Sequence, residues 1–251
     1  MKISIITVTY NSRDTIKDTI ESVRSQTYDD IEYIIIDGGS TDGTIEIVNE
    51  YEKDVDIFIS EPDDGIYDAM NKGIALASGD VIGILNSDDF YADNSVLNSV
   101  AEAFLTKKID CIYGDLVYID SFNINKITRY WKSDSFTPGI FYTGWHPAHP
   151  TFFVKKSTYE KFGLYKTKFK LAADYELMLR FLEKNQLSSI YIPKVLVKMR
   201  CGGISNKSFI NIIKANIECY LSWEENDFNI SPIIIFKKIF YKIKQFYIKN
   251  L

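Results

Sequence analysis

The chain has 251 residues, 46% hydrophobic and 25% charged, the balance of a soluble globular protein with length enough for a sizeable core. That length fits one large domain or a domain with an appendage. A net charge of −5 argues against nucleic acid as the main partner, and three cysteines without a CxxC pair, beside only two histidines, argue against a Cys/His zinc centre.

The opening MKISIITVTY is too short an apolar run for a signal-peptide core, and no later stretch reaches the length of a membrane span. With cysteines that read as reduced thiols, the expected location is the cytoplasmic side. ISIITV (3–8) is continuous and β-branched, the pattern of a strand buried on both faces of a parallel sheet. Ser12 is placed to cap a following helix in which Ile16, Ile20 and Val23 share a face. IEYIIID (31–37) is a second buried strand, GGSTDGT opens a helix with Ile45 and Val48 on one face, and VDIFIS (55–60) is a third strand. GIYDAMNKGIALASGD carries a third helix, expected to close at Gly79, before the fourth strand, VIGIL (81–85). Strands alternating with helices in this way predict βαβ units and a mostly parallel sheet.

After about residue 110 the pattern changes. CIYGDLVYID and NINKITRYWK read as strands of mixed direction, and the prolines of WHPAHPTFFV interrupt regular structure before another short strand. LAADYELMLRFLEKN reads as a helix, YIPKVLVKMR as a last strand, and GGISN (202–206) as a turn and boundary.

Ligands on parallel sheets bind at the carboxyl ends of the strands. Tyr10, Asp37, Asp63, Asp88 and Asp89 all follow predicted strand ends and so gather on one edge. There is no GxGxxG after the first strand, where TYNS stands, and no GK[ST], which excludes a dinucleotide or Walker site. The adjacent acids Asp88 and Asp89 suit a divalent metal that in turn binds phosphate oxygens. Attraction between unit charges about 4 Å apart is roughly 4 kcal/mol at an effective dielectric of 20, so a divalent ion outweighs the repulsion within the pair. Ser-Asp-Asp is also good capping chemistry, the plainer reading.

ITVTYNS, IIIDGGSTDGT, GIYDAMNKGIALASGD and ILNSDD, in that order, resemble the blocks of a family 2 glycosyltransferase of GT-A fold. The resemblance continues through HPTFFVKKSTYEKFGLY and LAADYELMLR to about residue 200, and SEPDDGIYDAMNKG is similar to a subgroup associated with bacterial O-antigen and capsule assembly. It implies an α/β fold with a mostly parallel central sheet flanked by helices and a C-terminal helical extension. It also implies a metal-dependent, inverting transfer from a UDP-sugar. Tyr10 would then lie along the base, Asp37 would bond its uracil, and Asp63 stands where the family often has a base-contacting Asn. Asp88 and Asp89 stand for a DxD-type motif, Asp88 near the ribose and Asp89 on Mn²⁺ or Mg²⁺, and Asp174 matches the catalytic base. Met70 occupies a place where many members have Arg, so phosphate contact is expected from Lys72 or a basic residue of the CGGISNK loop.

Two alanines precede Asp174, an apolar setting expected to raise its pKa; the plainer reading is a helix N-terminal acid favoured by the dipole. His146 and His149 are three apart, but the prolines between and after them oppose a shared metal. His149, followed by PTFF, resembles a subgroup His near the acceptor, and Trp145 suits either stacking on a sugar or a place in the core. The tail 233–251 has five lysines and no acid: Lys237, Lys238, Lys242 and Lys249 share one arc with Gln245, opposite Ile239, Phe240, Ile243, Phe246 and Tyr247. Such a helix suits an anionic membrane surface, or packs its apolar side on the catalytic domain.

The expected organisation is a catalytic domain, 1–205, with a nucleotide-sugar half to 110 and an acceptor half after it, and a helical tail, 206–251. The expected acceptor is a lipid-linked or oligosaccharide glycan at the inner-membrane surface. The alternatives are a sugar-nucleotide nucleotidyltransferase, which would want a glycine-rich basic loop in place of TYNS, and a non-catalytic glycan-binding or scaffold protein.

Overall fold

The structure, a computed structural model, describes residues 1–121, 123–202 and 209–245. The first half alternates as its apolar runs dictate: β1 (Ile3–Thr9), α1 (Ile16–Arg24), β2 (Ile31–Asp37), α2 (Thr44–Glu50), β3 (Ile57–Ser60), α3 (Ile66–Leu76) and β4 (Val81–Ile84). These four strands are parallel, in the order β3-β2-β1-β4, with Thr9, Asp37 and Ser60 level at their carboxyl ends. Side chains alternate across the sheet. Ile6, Val8, Ile34 and Ile36 join α3 in one core, whereas Ile3, Ile5, Tyr33 and Ile35 join α1, α2 and a later helix in the other.

The second half is mixed. β5 (Asp89–Tyr91) leads to α4 (Val96–Thr106), then β6 (Cys111–Ile119), β7 (Ile127–Trp131), short 3₁₀ turns at Ile140–Thr143 and His149–Thr151, and β8 (Phe153–Lys155). α5 (Lys156–Phe162), α6 (Ala173–Met178), β9 (Ser189–Arg200), α7 (Phe209–Glu225) and α8 (Ile233–Lys244) complete it. α6 runs on into a π-helical stretch, Leu179–Lys184. β8 joins the halves, antiparallel to β4 and β6, and the sheet ends β8-β6-β9-β5 with β7 on β6.

Two local expectations are corrected. Ser12 makes no side-chain cap: α1 begins at Ile16, and the Ser12 hydroxyl lies 2.7 Å from that of Ser87, linking the turn after β1 to the turn before β5. α3 ends at Leu76 with Ala77 as its C-cap, not at Gly79, whose role is close approach. A Cβ there would stand 2.6 Å from Ser4 Oγ and 2.8 Å from its backbone nitrogen.

The expected boundary at 205 falls outside the described residues. α7 and α8 pack on the catalytic body, with Cys219, Trp223 and Ile234 buried in the core that holds α3 and α6. Gly144 makes this docking possible: its φ is +90°, and a Cβ would meet the α8 backbone at Lys237 and Lys238 at 2.5 Å.

Candidate active site

The carboxyl ends of β1, β2 and β3 hold the first cluster. Asp37 is fully buried: Oδ2 accepts from Gly39 N (3.0 Å), Ser40 N (2.9 Å) and Ser60 Oγ (2.7 Å), and Oδ1 accepts from Ser40 Oγ. It therefore holds the turn between β2 and α2, and contact with a base requires that turn to part. Tyr10 lies in the open, 65% exposed, beside Gly38. The Asp63 carboxylate covers Gly38 so closely that a Cβ would stand 2.6 Å from its Oδ2, while Oδ1 accepts from Gly65 N at 2.8 Å. Tyr10, Gly38 and Asp63 thus form one wall, in which the part of Gly38 was not anticipated.

The second cluster is the turn from β4 to β5. Asp89 is fully buried, and neither of its oxygens, nor Asn86 Oδ1, meets a donor at hydrogen-bonding geometry. Burial first and the Asp88 charge second push its carboxyl well above the usual range, and the nearby Arg200 N–H and Asn86 side chain offset only part of this. Arg200 braces the turn: Nη1 donates to the Asp88 carbonyl (2.9 Å), Nη2 pairs with Asp18 of α1, and the guanidinium lies 5.1 Å over the Phe90 ring.

The third cluster is built from α3, α6 and the turn before β8. Asp174 Oδ2 lies 3.0 Å from His149 Nδ1, and Tyr67 donates its hydroxyl to Oδ1 at 3.1 Å. The expected upward pKa shift is corrected. Burial does push it up, but the His149 charge and hydrogen bond, the Tyr175 N–H and His146 outweigh it and hold the carboxyl well below the usual range. His146 packs edge-on against Trp131 (4.9 Å between centroids) and Tyr175 (5.3 Å); burial and Lys238 push it down to about 3. Trp145 takes the core alternative, 1% exposed against Tyr113 and Phe141 with Nε1 donating to the Ser133 carbonyl.

Tyr118 of β6 feels the charges of both the second and the third cluster. Burial pushes its hydroxyl up to about 12; the Arg129 charge opposes this, and the charges of Asp89 and Asp174 add to it. The Arg129 guanidinium stands 3.6 Å over the Tyr118 ring. α8 contributes from the same side. Lys238 Nζ lies 2.7 Å from Cys219 Sγ and 4.8 Å over the Tyr175 ring, and burial with the charges of Arg129 and Lys238 pushes Lys242 down to about 8. Sequence reading assigned no role to Tyr67, Arg129 or Arg200 and set Lys238 and Lys242 on a basic arc opposite the apolar one, since nothing local to them signals the site. Met70 is buried in the core, and Lys72 pairs with Glu61 (2.9 Å) and Asp68 (3.4 Å). Lys207 of the CGGISNK loop lies outside the described residues.

Among the described residues no group of three or more His, Cys, Asp or Glu is arranged to hold a metal. The buried, donorless oxygens of Asp89 and Asn86 nevertheless fit a cation whose other ligands are substrate phosphates and water, the usual setting of Mg²⁺.

The fold has solved counterparts. S. aureus TarS 1–349 superposes with a TM-score of 0.68 over 97% of this chain and 72% of that one, at 15% identity. A mannosyltransferase of Pyrobaculum calidifontis, PcManGT, solved with GDP-Man and Mn²⁺, gives 0.64 over 96% and 69%, at 16%. These likenesses establish the GT-A fold. An uncharacterized glycosyltransferase of Mycobacterium tuberculosis is 35% identical over 183 residues, 71% of this chain and 68% of its own. A PGL/p-HBAD biosynthesis glycosyltransferase of Mycobacterium bovis is 28% identical over 209 residues, 81% of this chain and 78% of its own. The profile of glycosyl transferase family 2 matches residues 4–168, a stretch that contains the Tyr10–Gly38–Asp63 wall, the Asp88–Asp89 turn and His149. The chain belongs to glycosyl transferase family 2.

Proposed function

We propose that this glycosyltransferase moves one hexosyl or N-acetylhexosaminyl unit from a UDP-sugar, with inversion, to a lipid-linked or oligosaccharide acceptor. The glycan would be a bacterial surface polysaccharide of O-antigen or capsule type. The observation that carries the reading is the buried Asp89 carboxylate whose oxygens meet no donor at hydrogen-bonding geometry, in the same fold as an Asp174–His149 pair, with the charges of both aspartates felt by Tyr118. One group is suited to a cation and a departing diphosphate, the other to the proton of an incoming hydroxyl. TarS has been solved with UDP-GlcNAc, which supports a UDP-sugar donor.

Each residue then has a task. Tyr10 and Asp63 flank the base, and Asp37 bonds the uracil when its turn parts. Asp88 lies by the ribose, and Asp88 and Asp89 act as the DxD-type pair, with Asp89 as the ligand of Mn²⁺ or Mg²⁺. When bound, that ion offsets charge on the departing diphosphate. Arg129, Lys238 and Lys242 add positive charge on this side, where Met70 supplies none. The hydroxyl proton is taken up at the Asp174–His149 pair. Residues 1–205 form the catalytic unit, and 206–251 hold it to the cytoplasmic face of the membrane.

Calorimetric titration of UDP, GDP and CMP, with and without Mn²⁺, tests the reading on the wild type and on Asp89→Ala. The expected result is metal-dependent UDP binding that Asp89→Ala weakens at least tenfold, about 1.4 kcal/mol. Preference for GDP would overturn the uracil contacts, and absence of nucleotide binding would overturn the enzymatic reading in favour of a glycan-binding protein.

A further inference from the structure

Family-type chemistry asks for one proton acceptor, and the third cluster offers two groups. The Asp174 carboxylate is already committed: it takes the Tyr67 hydroxyl on Oδ1 (3.1 Å), His149 Nδ1 on Oδ2 (3.0 Å) and is favoured by the Tyr175 N–H. Every such donor favours its charged form and makes it a poorer base. His149 is in the opposite position. Nδ1 is held by Asp174, the side chain is 27% exposed, and among the described residues nothing hydrogen-bonds Nε2. A neutral imidazole that donates Nδ1–H to a carboxylate keeps its Nε2 lone pair for a proton, and the carboxylate stabilises the imidazolium that results.

We propose that His149 Nε2 accepts the proton of the incoming hydroxyl and that Asp174 is the positioning residue that fixes its tautomer and orientation. This rests on the reading of the chain as an inverting transferase. In the step, the acceptor oxygen bonds to the anomeric carbon as the bond from that carbon to the diphosphate oxygen breaks. The hydroxyl proton passes to Nε2, UDP leaves with the bonding pair, and the imidazolium later returns its proton to water. Asp174 of α6 holds His149 directly and His146 of its own loop acts on it through charge; Tyr67 of α3 reaches the pair through Asp174, and Lys238 of α8 acts on His146. His146 is kept from this part by its burial between Trp131 and Tyr175.

The test is the pH profile of kcat/KM for wild type, His149→Gln and Asp174→Asn, with UDP affinity measured alongside. The expected wild-type profile falls on the acid side where imidazoles take up a proton. His149→Gln should lose turnover by roughly 10²–10⁴ and lose that limb, with UDP affinity unchanged. Asp174→Asn should keep the limb but move it to lower pH, because the imidazolium has lost its carboxylate. Added imidazole should restore part of the turnover of His149→Ala. A His149→Gln enzyme within tenfold of wild type overturns the proposal and leaves Asp174 as the base. A wild type that transfers no sugar brings down the transferase reading itself, which is seen before any variant is compared.

Discussion

Two aspartates of this site are shifted in opposite directions, and the sign follows from what each one touches. Asp89 is buried without a hydrogen-bond donor beside a second acid, so its folded-state carboxyl holds a proton more readily than in the unfolded chain. Without metal, the protein should therefore gain stability as pH falls from neutral toward the ordinary carboxylate range. Replacing the ionised group by an amide removes the same penalty. Asp89→Asn is expected to raise the metal-free Tm by a few degrees, at about 2–4 °C per kcal/mol for a chain of this size, and to abolish any rise on adding Mn²⁺. Thermal scans with Mn²⁺ and with chelator check both parts, and an unchanged response to Mn²⁺ would remove Asp89 as a ligand. Asp174, held low by its partners, contributes stability that is present above the unfolded carboxylate pKa and is lost only as pH falls through its own depressed value.

At the scale of the element, α6 brings Asp174 to the site because its next turn is locked from beneath. Glu176 has no exposed surface and receives Arg180 Nε and Nη2, each at 3.0 Å, Asn226 Nδ2 at 3.0 Å and Lys166 Nζ at 3.3 Å. Arg180 in turn donates to the carbonyls that end α5, those of Phe162, Gly163 (2.9 Å) and Leu164 (2.7 Å). A buried pair so fully satisfied is costly to break from one side, because the remaining charge stays in the core. Glu176→Gln is expected to cost about 3–5 kcal/mol in urea unfolding. A loss below about 1 kcal/mol would mean that α6 is held by its apolar contacts alone. The pattern of LAADYELMLR showed a helix; that Glu176 and Arg180 face inward together depends on α5 and the end of α7, which no local window contains.

At the scale of the whole molecule, α7 and α8 cover one side of the catalytic body and leave an apolar outer surface. On α8, Ile234 is buried, whereas Phe236, Ile239, Phe240 and Ile243 stay exposed, at 71% and 63% for the two phenylalanines. Phe209, Ile210, Ile213 and Ile217 extend that surface along α7. The helix thus docks without spending its apolar arc, and Lys238 turns inward toward Tyr175 instead of outward. No described helix is long and apolar enough to cross a membrane; the exposed apolar surface is where the proposed membrane contact is tested. The protein is expected to sediment with anionic vesicles, and Phe236→Ser with Phe240→Ser to weaken this at least tenfold. Because both side chains are exposed, the double variant should fold as the wild type does. Undiminished sedimentation would overturn this part of the reading.

Much of this protein was legible in one dimension. The βαβ half was read almost element by element, because a strand buried on both faces must be a continuous apolar run and its carboxyl end is then known. The acids at those ends, and the order of the four blocks, came with it. What only the tertiary structure decided are properties set by partners distant along the chain. Tyr67, 107 residues away, and His149 turn Asp174 from an acid expected to be a raised base into a held carboxylate. Trp145 and Met70 went to the core, and Lys238 of α8 turned toward Tyr175, because burial depends on which surfaces meet. A sequence records the local pattern that makes an element, while the charge state and facing of a side chain depend on electrostatic and packing partners that only folding brings within reach.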